Sequence, residues 1–78
     1  MSRPLSPRQL DIVRLAADGH TDPQIATRLG LSLHTVRWEW RHEIKPRLSA
    51  VDRTHAVALA VAAELAHPTP LTRPEAAA

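Results

Sequence analysis

The chain has no cysteine, no phenylalanine and no tyrosine, and its only glycines are Gly19 and Gly30. Without cysteine it can form neither a disulfide nor a thiolate zinc site. Two isolated glycines do not make the glycine-rich loop that binds nucleotide phosphates. The longest apolar run, residues 56–63, is far shorter than the ~20 residues that a transmembrane helix needs. These absences argue against a disulfide scaffold, a P-loop enzyme and a membrane-spanning helix.

Small size and arginine-rich charge are the next features of the composition. With 78 residues, the chain is long enough for one domain with a single small core. The formal net charge is only +2, but the pI is near 10.5 because arginine supplies most of the positive charge. That balance permits binding to nucleic acid without requiring it. Since no signal peptide is visible either, the expected location is the cytoplasm.

Two capping boxes mark helix starts. Ser6 and Gln9 can each accept a hydrogen bond from the other's backbone N–H, and Pro7 suits the first helical position. Thr21 and Gln24 repeat this arrangement. Apolar residues at helical spacing follow both boxes, and no segment shows the alternation of a strand. The pattern therefore predicts an all-α fold.

The predicted domain covers residues 1–66, and a disordered, proline-rich tail follows at residues 67–78. Pro46 is expected to end the third helix, because proline does not extend a helix comfortably. Asp52 is expected to cap the fourth helix. The four predicted helices span about residues 7–18, 22–29, 33–45 and 53–66.

The segment from Thr21 to Arg41 has the spacing of a helix-turn-helix. Ala26 is small enough for a second helix to cross close by, and Gly30 can supply the positive φ of a sharp turn. Val36 then anchors the second helix on the first. In this motif the second helix enters the DNA major groove.

A series of short motifs runs through residues 5 to about 65: Leu5-Ser6-Pro7-Arg8, Ile12-Val13-Arg14-Leu15, Gly19, Ile25-Ala26, Leu29-Gly30-Leu31-Ser32, Thr35-Val36-Arg37 and Arg53-Thr54-His55-Ala56-Val57. In content and order this series resembles the DNA-binding domain of LuxR/FixJ-type response regulators, the GerE-like helix-turn-helix. The resemblance implies a four-helix domain that binds DNA as a dimer, with its third helix in the major groove and its fourth commonly pairing two subunits.

The chain departs from the family pattern in three ways. Gln9 and Gln24 stand where glutamates are usual, which keeps the caps but removes charge. Glu39 replaces a frequent histidine, and an acid near a phosphate backbone is unfavourable. The stretch between Val36 and Arg53 is one residue longer than usual, so the end of the third helix is expected to be rebuilt.

The third helix carries the candidate DNA contacts. Val36 and Trp40 share one side and are predicted to face the core, whereas Arg37, Arg41 and Lys45 make a basic stripe at spacings of four. A solvated helix face would carry similar charges. By resemblance, Arg37 and Arg41 match the family's main DNA contacts, and an arginine can bind either guanine or a phosphate.

The other residues of this helix have less specific assignments. Trp38 matches a third contact position and could lie on a thymine methyl; it could instead cover a neighbouring side chain or meet a protein partner. Glu39 and Glu43 are interpreted as specificity or surface groups. Further candidates for phosphate contact are Thr35, His34 and Ser32, of which Ser32 more surely caps the helix, and more weakly Lys45, Arg8, Arg47 and Arg53.

The fourth helix is apolar on every side, which predicts burial on more than one side. Val57 and Val61 are expected to face its own domain. The other side is expected to pack against a second copy, giving a two-fold dimer that matches two DNA half-sites. Alternatively, alanine merely favours the helical state. The predicted dimerisation residues are Leu59, Ala62, Ala63 and Ala66.

The leading functional hypothesis is a transcription regulator that binds double-stranded DNA sequence-specifically, either standing alone or as the C-terminal domain of a larger regulator. The alternative is a protein-binding adaptor that contacts RNA polymerase or another regulator through Trp38, an idea that Glu39, Glu43 and the low net charge favour. No enzyme activity and no cofactor are expected, because there is no activated serine and no paired acids. The histidines fall in different elements without ligand spacing, so no metal site is expected.

Overall fold

Side-chain caps begin the helices at the predicted residues in the computed structural model, which describes residues 4–68. Ser6 Oγ accepts from the Gln9 N–H over 3.2 Å, and Gln9 Oε1 accepts from the Ser6 N–H over 2.8 Å. The Thr21–Gln24 box forms in the same way, with distances of 2.9 and 3.4 Å. Each such cap stabilises a helix by about 1 kcal/mol.

Helices account for all the regular structure between residues 4 and 68, so the predicted all-α fold is confirmed. The helix between α2 and α5 is one continuous rod of residues 33–48, here called the third helix, made of two α segments joined by a π turn. In chain order the elements are α1 (Pro7–Ala17), α2 (Asp22–Leu29), α3 (Leu33–Glu39), the π turn (Trp40–Ile44), α4 (Lys45–Leu48) and α5 (Arg53–Ala62).

A tight turn joins α2 to α3. Gly30 has φ 67°, a left-handed conformation that glycine adopts without steric cost, and Leu31 N–H donates to the Ala26 carbonyl over 2.9 Å. Ala26 and Val36 are both buried where the two helices pack. The predicted helix-turn-helix is therefore present, with Ala26, Gly30 and Val36 in the expected roles.

The third helix does not end near Lys45 as predicted. Lys45 N–H donates to the Trp40 carbonyl, five residues back, which makes a wide π turn directly before Pro46. A proline in a helix lacks the N–H and crowds the carbonyl four residues earlier, and the wide turn relieves that crowding. The helix therefore continues to Leu48 and ends where Ser49 adopts φ 55°. A π turn is also how a helix takes up one extra residue.

The core lies where α1, α2, the third helix and α5 meet. α5 contributes mainly Ala56 and Ala60, both fully buried, whereas Val57 and Val61 are only partly buried against the core. Small alanines let this helix approach α1 closely. The largest fully buried side chains are Ile12, Ile25, Ile44, Val13 and Val36.

α5 ends at Ala62, four residues before its predicted end. Glu64 has φ 60°, and Leu65 N–H donates back to the Ala60 carbonyl over 2.8 Å, so the chain turns sharply here. The turn places Ala66 in the core with no exposed surface. The predicted tail at residues 67–78 lies, from residue 69 onward, outside the described residues.

Candidate nucleic-acid interface

The third helix sorts its side chains into four rows of residues four apart. An α-helix has 3.6 residues per turn, so every fourth residue drifts by about 40° around the axis. The π turn at Trp40–Ile44 has more residues per turn, so it rotates the chain less per residue and offsets this drift. Each row therefore stays on one side of the rod. The rows are the core row (Val36, Trp40, Ile44, Leu48), the paired row (Thr35, Glu39, Glu43, Arg47), the basic row (Arg37, Arg41, Lys45) and the aromatic row (His34, Trp38, His42).

The core row anchors the rod on the rest of the domain. Val36 and Ile44 are fully buried, and Trp40 is 4% exposed, which confirms its predicted place in the core. Trp40 Nε1 donates to Asp22 Oδ1 over 3.0 Å, and the Arg53 guanidinium lies 5.1 Å from the Trp40 ring centroid. These contacts fix the rotation of the helix about its axis, and so decide which rows face outward.

Two members of the paired row, Glu39 and Arg47, contact α1. Gln9 Nε2 donates to Glu39 Oε1 over 3.3 Å, and Arg8 approaches Glu39 Oε2 at 3.7 Å. Glu43 pairs with Arg47 at 2.6 Å. The interpretation of Glu39 as a surface or specificity group was wrong, because its side chain is buried against α1.

Gln9 and Glu39, which both depart from the family pattern, are in contact with each other. A glutamate at position 9 would place a second carboxylate beside that of Glu39, whereas the Gln9 amide donates a hydrogen bond to it. Gln9 Oε1 also accepts from Arg47 Nη1 over 2.9 Å, which ties α1 to α4. The pair thus serves the fold on the side of the helix away from the basic row.

Some of the arginine side chains are paired with other groups of the chain, and others are unpaired. Among the described residues, the side chains of Arg28, Arg37, Arg41 and Lys45 make no hydrogen bond or ion pair, and the last three of these form the basic row. The arginines bound within the chain are Arg8, Arg14, Arg47 and Arg53. The weaker phosphate candidates Arg8, Arg47 and Arg53 thus have structural partners, and three of the four unpaired cationic side chains in residues 4–68 lie on the third helix.

The aromatic row lies next to the basic row. Trp38 is 45% exposed, and its ring lies 5.1 Å from the ring of His42 at a tilt of 33°. A shallow depression runs along the helix between the two rows, lined by His34, Arg37, Trp38, Arg41 and His42. His42 was not among the sequence candidates, although its spacing of four from Trp38 could have indicated it.

The start of α3 orders two hydroxyl groups. Ser32 Oγ accepts from the Thr35 N–H over 3.0 Å, which confirms its predicted capping role, and donates to Thr35 Oγ1 over 2.9 Å. Thr35 therefore keeps its own hydroxyl proton for another acceptor. At the other end of the basic row, Lys45 is partly buried.

Residues 4–68 offer neither a metal-ligand cluster nor a membrane-spanning helix. No cluster of three or more histidine, aspartate or glutamate side chains there has the arrangement to hold a metal ion. No helix within the same range is long and apolar enough to cross a membrane.

The fold and this surface define a small helix-turn-helix domain whose second motif helix presents free cations. Comparison with protein families agrees: the model of the homeodomain-like domain matches residues 4–51. The chain belongs to this homeodomain-like helix-turn-helix family, whose fold suggests DNA binding and is typically non-enzymatic. The match covers α1 to α4 and stops before α5. A search of curated proteins finds no match.

Proposed function

We propose that this protein is a cytoplasmic transcription regulator that binds double-stranded DNA sequence-specifically, with its third helix in the major groove. The observation that carries the proposal is the sorting of the described arginines: Arg8, Arg14, Arg47 and Arg53 are paired within the chain, whereas Arg37 and Arg41 on the third helix, and Arg28 on α2, are unpaired. An unpaired cationic row on the second helix of a helix-turn-helix is where phosphates and base edges are contacted.

Different side chains of the third helix suit different parts of the DNA. Arg37 and Arg41 are exposed and project from the middle of the rod, where either can bind guanine bidentately or a phosphate. Trp38 between them offers an apolar surface that suits a thymine methyl group. Thr35 has a free hydroxyl proton for a phosphate. The proposed DNA-binding residues are Arg37, Trp38, Arg41, Thr35, His34, Lys45 and Ser32.

We infer that the chain is a helix-turn-helix domain of the LuxR/FixJ type. The capping boxes and the Gly30 turn support this placement, and the π turn accommodates the one extra residue that separates the chain from that pattern. The stretch from Arg53 to Val57, which carries the rest of the resemblance, lies beyond the matched residues.

A homodimer through α5 is part of the proposal. Ala62 and Ala63 are exposed and Leu59 is partly exposed, so a small apolar surface remains available on this helix. Ala66 no longer belongs to that surface, since it is buried in its own chain. Two copies joined here would present two recognition helices to two half-sites.

The adaptor alternative loses part of its support, because Glu39 is buried and Glu43 is paired with Arg47. The exposed Trp38 and the low net charge still favour a protein partner such as RNA polymerase.

Selection from a random DNA pool tests the proposed function. The full chain, immobilised through its C-terminus, is incubated with random-sequence duplexes, and bound molecules are amplified and sequenced over several rounds. The proposal predicts enrichment of one short motif, and its loss when Arg37→Ala and Arg41→Ala are combined. A pool that stays random with the wild-type chain, while the chain binds a purified RNA polymerase, would support the adaptor instead.

A further inference from the structure

The aromatic row has two histidines that the proposed function does not use as charged groups. His34 and His42 lie one turn on either side of Trp38, and all three side chains are exposed. Their row runs beside Arg37 and Arg41. Any phosphate bound by these arginines therefore comes close to the imidazole rings.

Trp38 holds His42 in this position. The two rings are 5.1 Å apart and tilted by 33°, a contact that restricts the rotamers of His42. Both rings line the same depression as Arg37 and Arg41. The ionisable groups facing His42 across this depression are His34, Arg37 and Arg41, all from the third helix; within the described residues, no other helix contributes to its lining.

Histidine is the side chain that changes charge between about pH 5 and pH 8. A phosphate within a few ångströms favours its protonated form. We propose that His42, together with His34, is a further DNA-contacting residue that binds phosphate as the imidazolium, so that DNA binding takes up protons. This inference rests on the proposed DNA-binding function of the third helix. Because the bound state then holds more protons than the free state, affinity rises as the pH falls.

The test is fluorescence anisotropy of a labelled random-sequence duplex titrated with the full chain across a salt series, at about pH 6 and about pH 8. A random duplex isolates phosphate contacts from base readout. The slope of log affinity against log salt concentration should be steeper at the lower pH by about 0.9 for each histidine that pairs with a phosphate. His42→Gln should remove about half of this difference if both histidines contribute equally, and adding His34→Gln should remove the rest.

A matched control and a charge-fixing variant separate charge from structure. His67 is exposed, lies after α5 and makes no hydrogen bond within residues 4–68, so His67→Gln should keep the full pH difference. His42→Arg carries a permanent charge, so it should bind more tightly than wild type at the higher pH and show a smaller pH difference. Circular dichroism checks that each variant remains helical.

Two results would overturn the inference while leaving the proposed function intact. One is a wild-type salt dependence that is equal at both pH values. The other is His42→Gln retaining the whole pH difference. Absence of DNA binding at both pH values would instead remove the proposed function itself.

Discussion

Trp40 Nε1 donates a hydrogen bond of 3.0 Å to Asp22 Oδ1, which ties the third helix to the first residue of α2. Arg53 Nε donates to the same oxygen over 3.1 Å and Arg53 Nη2 to the His20 carbonyl over 2.8 Å, so α5 joins the contact. One carboxylate thus connects three helices around the buried Trp40. The orientation of the exposed rows depends on this contact.

Replacing Asp22 should destabilise the domain. In Asp22→Ala the buried Trp40 N–H loses its acceptor and Arg53 its ion pair, which should cost about 1–3 kcal/mol. Asp22→Asn keeps an oxygen for Trp40 and should cost less. Urea unfolding followed by tryptophan fluorescence measures both, with exposed Asp11→Ala as the control. Equal stability of Asp22→Ala and Asp11→Ala would contradict the proposed role of this contact.

Glu39 should matter for folding and not for DNA. Glu39→Ala leaves the Gln9 amide without its acceptor in a buried position and should cost about 1–3 kcal/mol. Glu39→Gln keeps that acceptor and loses only the long contact to the half-exposed Arg8, worth about 1 kcal/mol or less.

In DNA titrations Glu39→Gln should keep the wild-type salt dependence, because the side chain faces α1. A clear increase in the salt dependence on this substitution would show that Glu39 lies near the phosphates, contrary to the structure.

Much of the fold could be predicted because its determinants are local. The Ser6–Gln9 box needs only residues three apart, and the Gly30 turn needs only the conformational freedom of glycine. The side on which Glu39 lies could not be predicted in this way. It depends on Gln9, thirty residues earlier, and on how α1 crosses the third helix.

The ends of helices were harder to predict than their starts. Pro46 signals an end, but the π turn that tolerates it involves Trp40 and Lys45 and has no clear local signal. The run of alanines suggests that α5 continues to Ala66, yet burial of Leu65 and Ala66 favours a turn at Glu64. In both places tertiary packing overrides helix propensity.

Glu64→Gly should change the free energy of unfolding in opposite directions depending on whether the chain turns at Glu64 or continues as a helix to Ala66. With φ 60°, a non-glycine residue is strained by roughly 1–2 kcal/mol, and glycine relieves this strain. Glycine also loses more conformational entropy on folding than other residues. The net effect of Glu64→Gly should be a free energy of unfolding raised by up to about 1 kcal/mol. If the helix instead ran to Ala66, the same change would destabilise it by about 1 kcal/mol. Thermal and urea unfolding distinguish these outcomes, with Glu64→Ala as the reference.

The proposed dimer is tested by charging its surface. Ala62 is exposed in the single chain, so Ala62→Glu should leave the monomer folded. If α5 pairs two copies, light scattering coupled to gel filtration should show a dimer for wild type and a monomer for Ala62→Glu. Thr54→Glu, at an exposed position near the start of α5, controls for added charge. A strictly monomeric wild type, with and without DNA, would contradict the dimer.

The most direct measurement of the central claim is the salt dependence of duplex DNA affinity for wild type, Arg37→Ala, Arg41→Ala and Arg28→Ala. Arg28 is an exposed and unpaired cation on α2, so Arg28→Ala makes the same charge change outside the third helix. We predict steep loss of wild-type affinity with salt. If the substituted arginine binds a phosphate, the slope of log affinity against log salt concentration should become shallower by about 0.9. If it contacts a base, the variant should lose about 1–3 kcal/mol of discrimination between DNA sequences. Arg28→Ala should do neither. Unchanged affinity in both Arg37→Ala and Arg41→Ala would contradict the assignment of the third helix as the DNA-binding element.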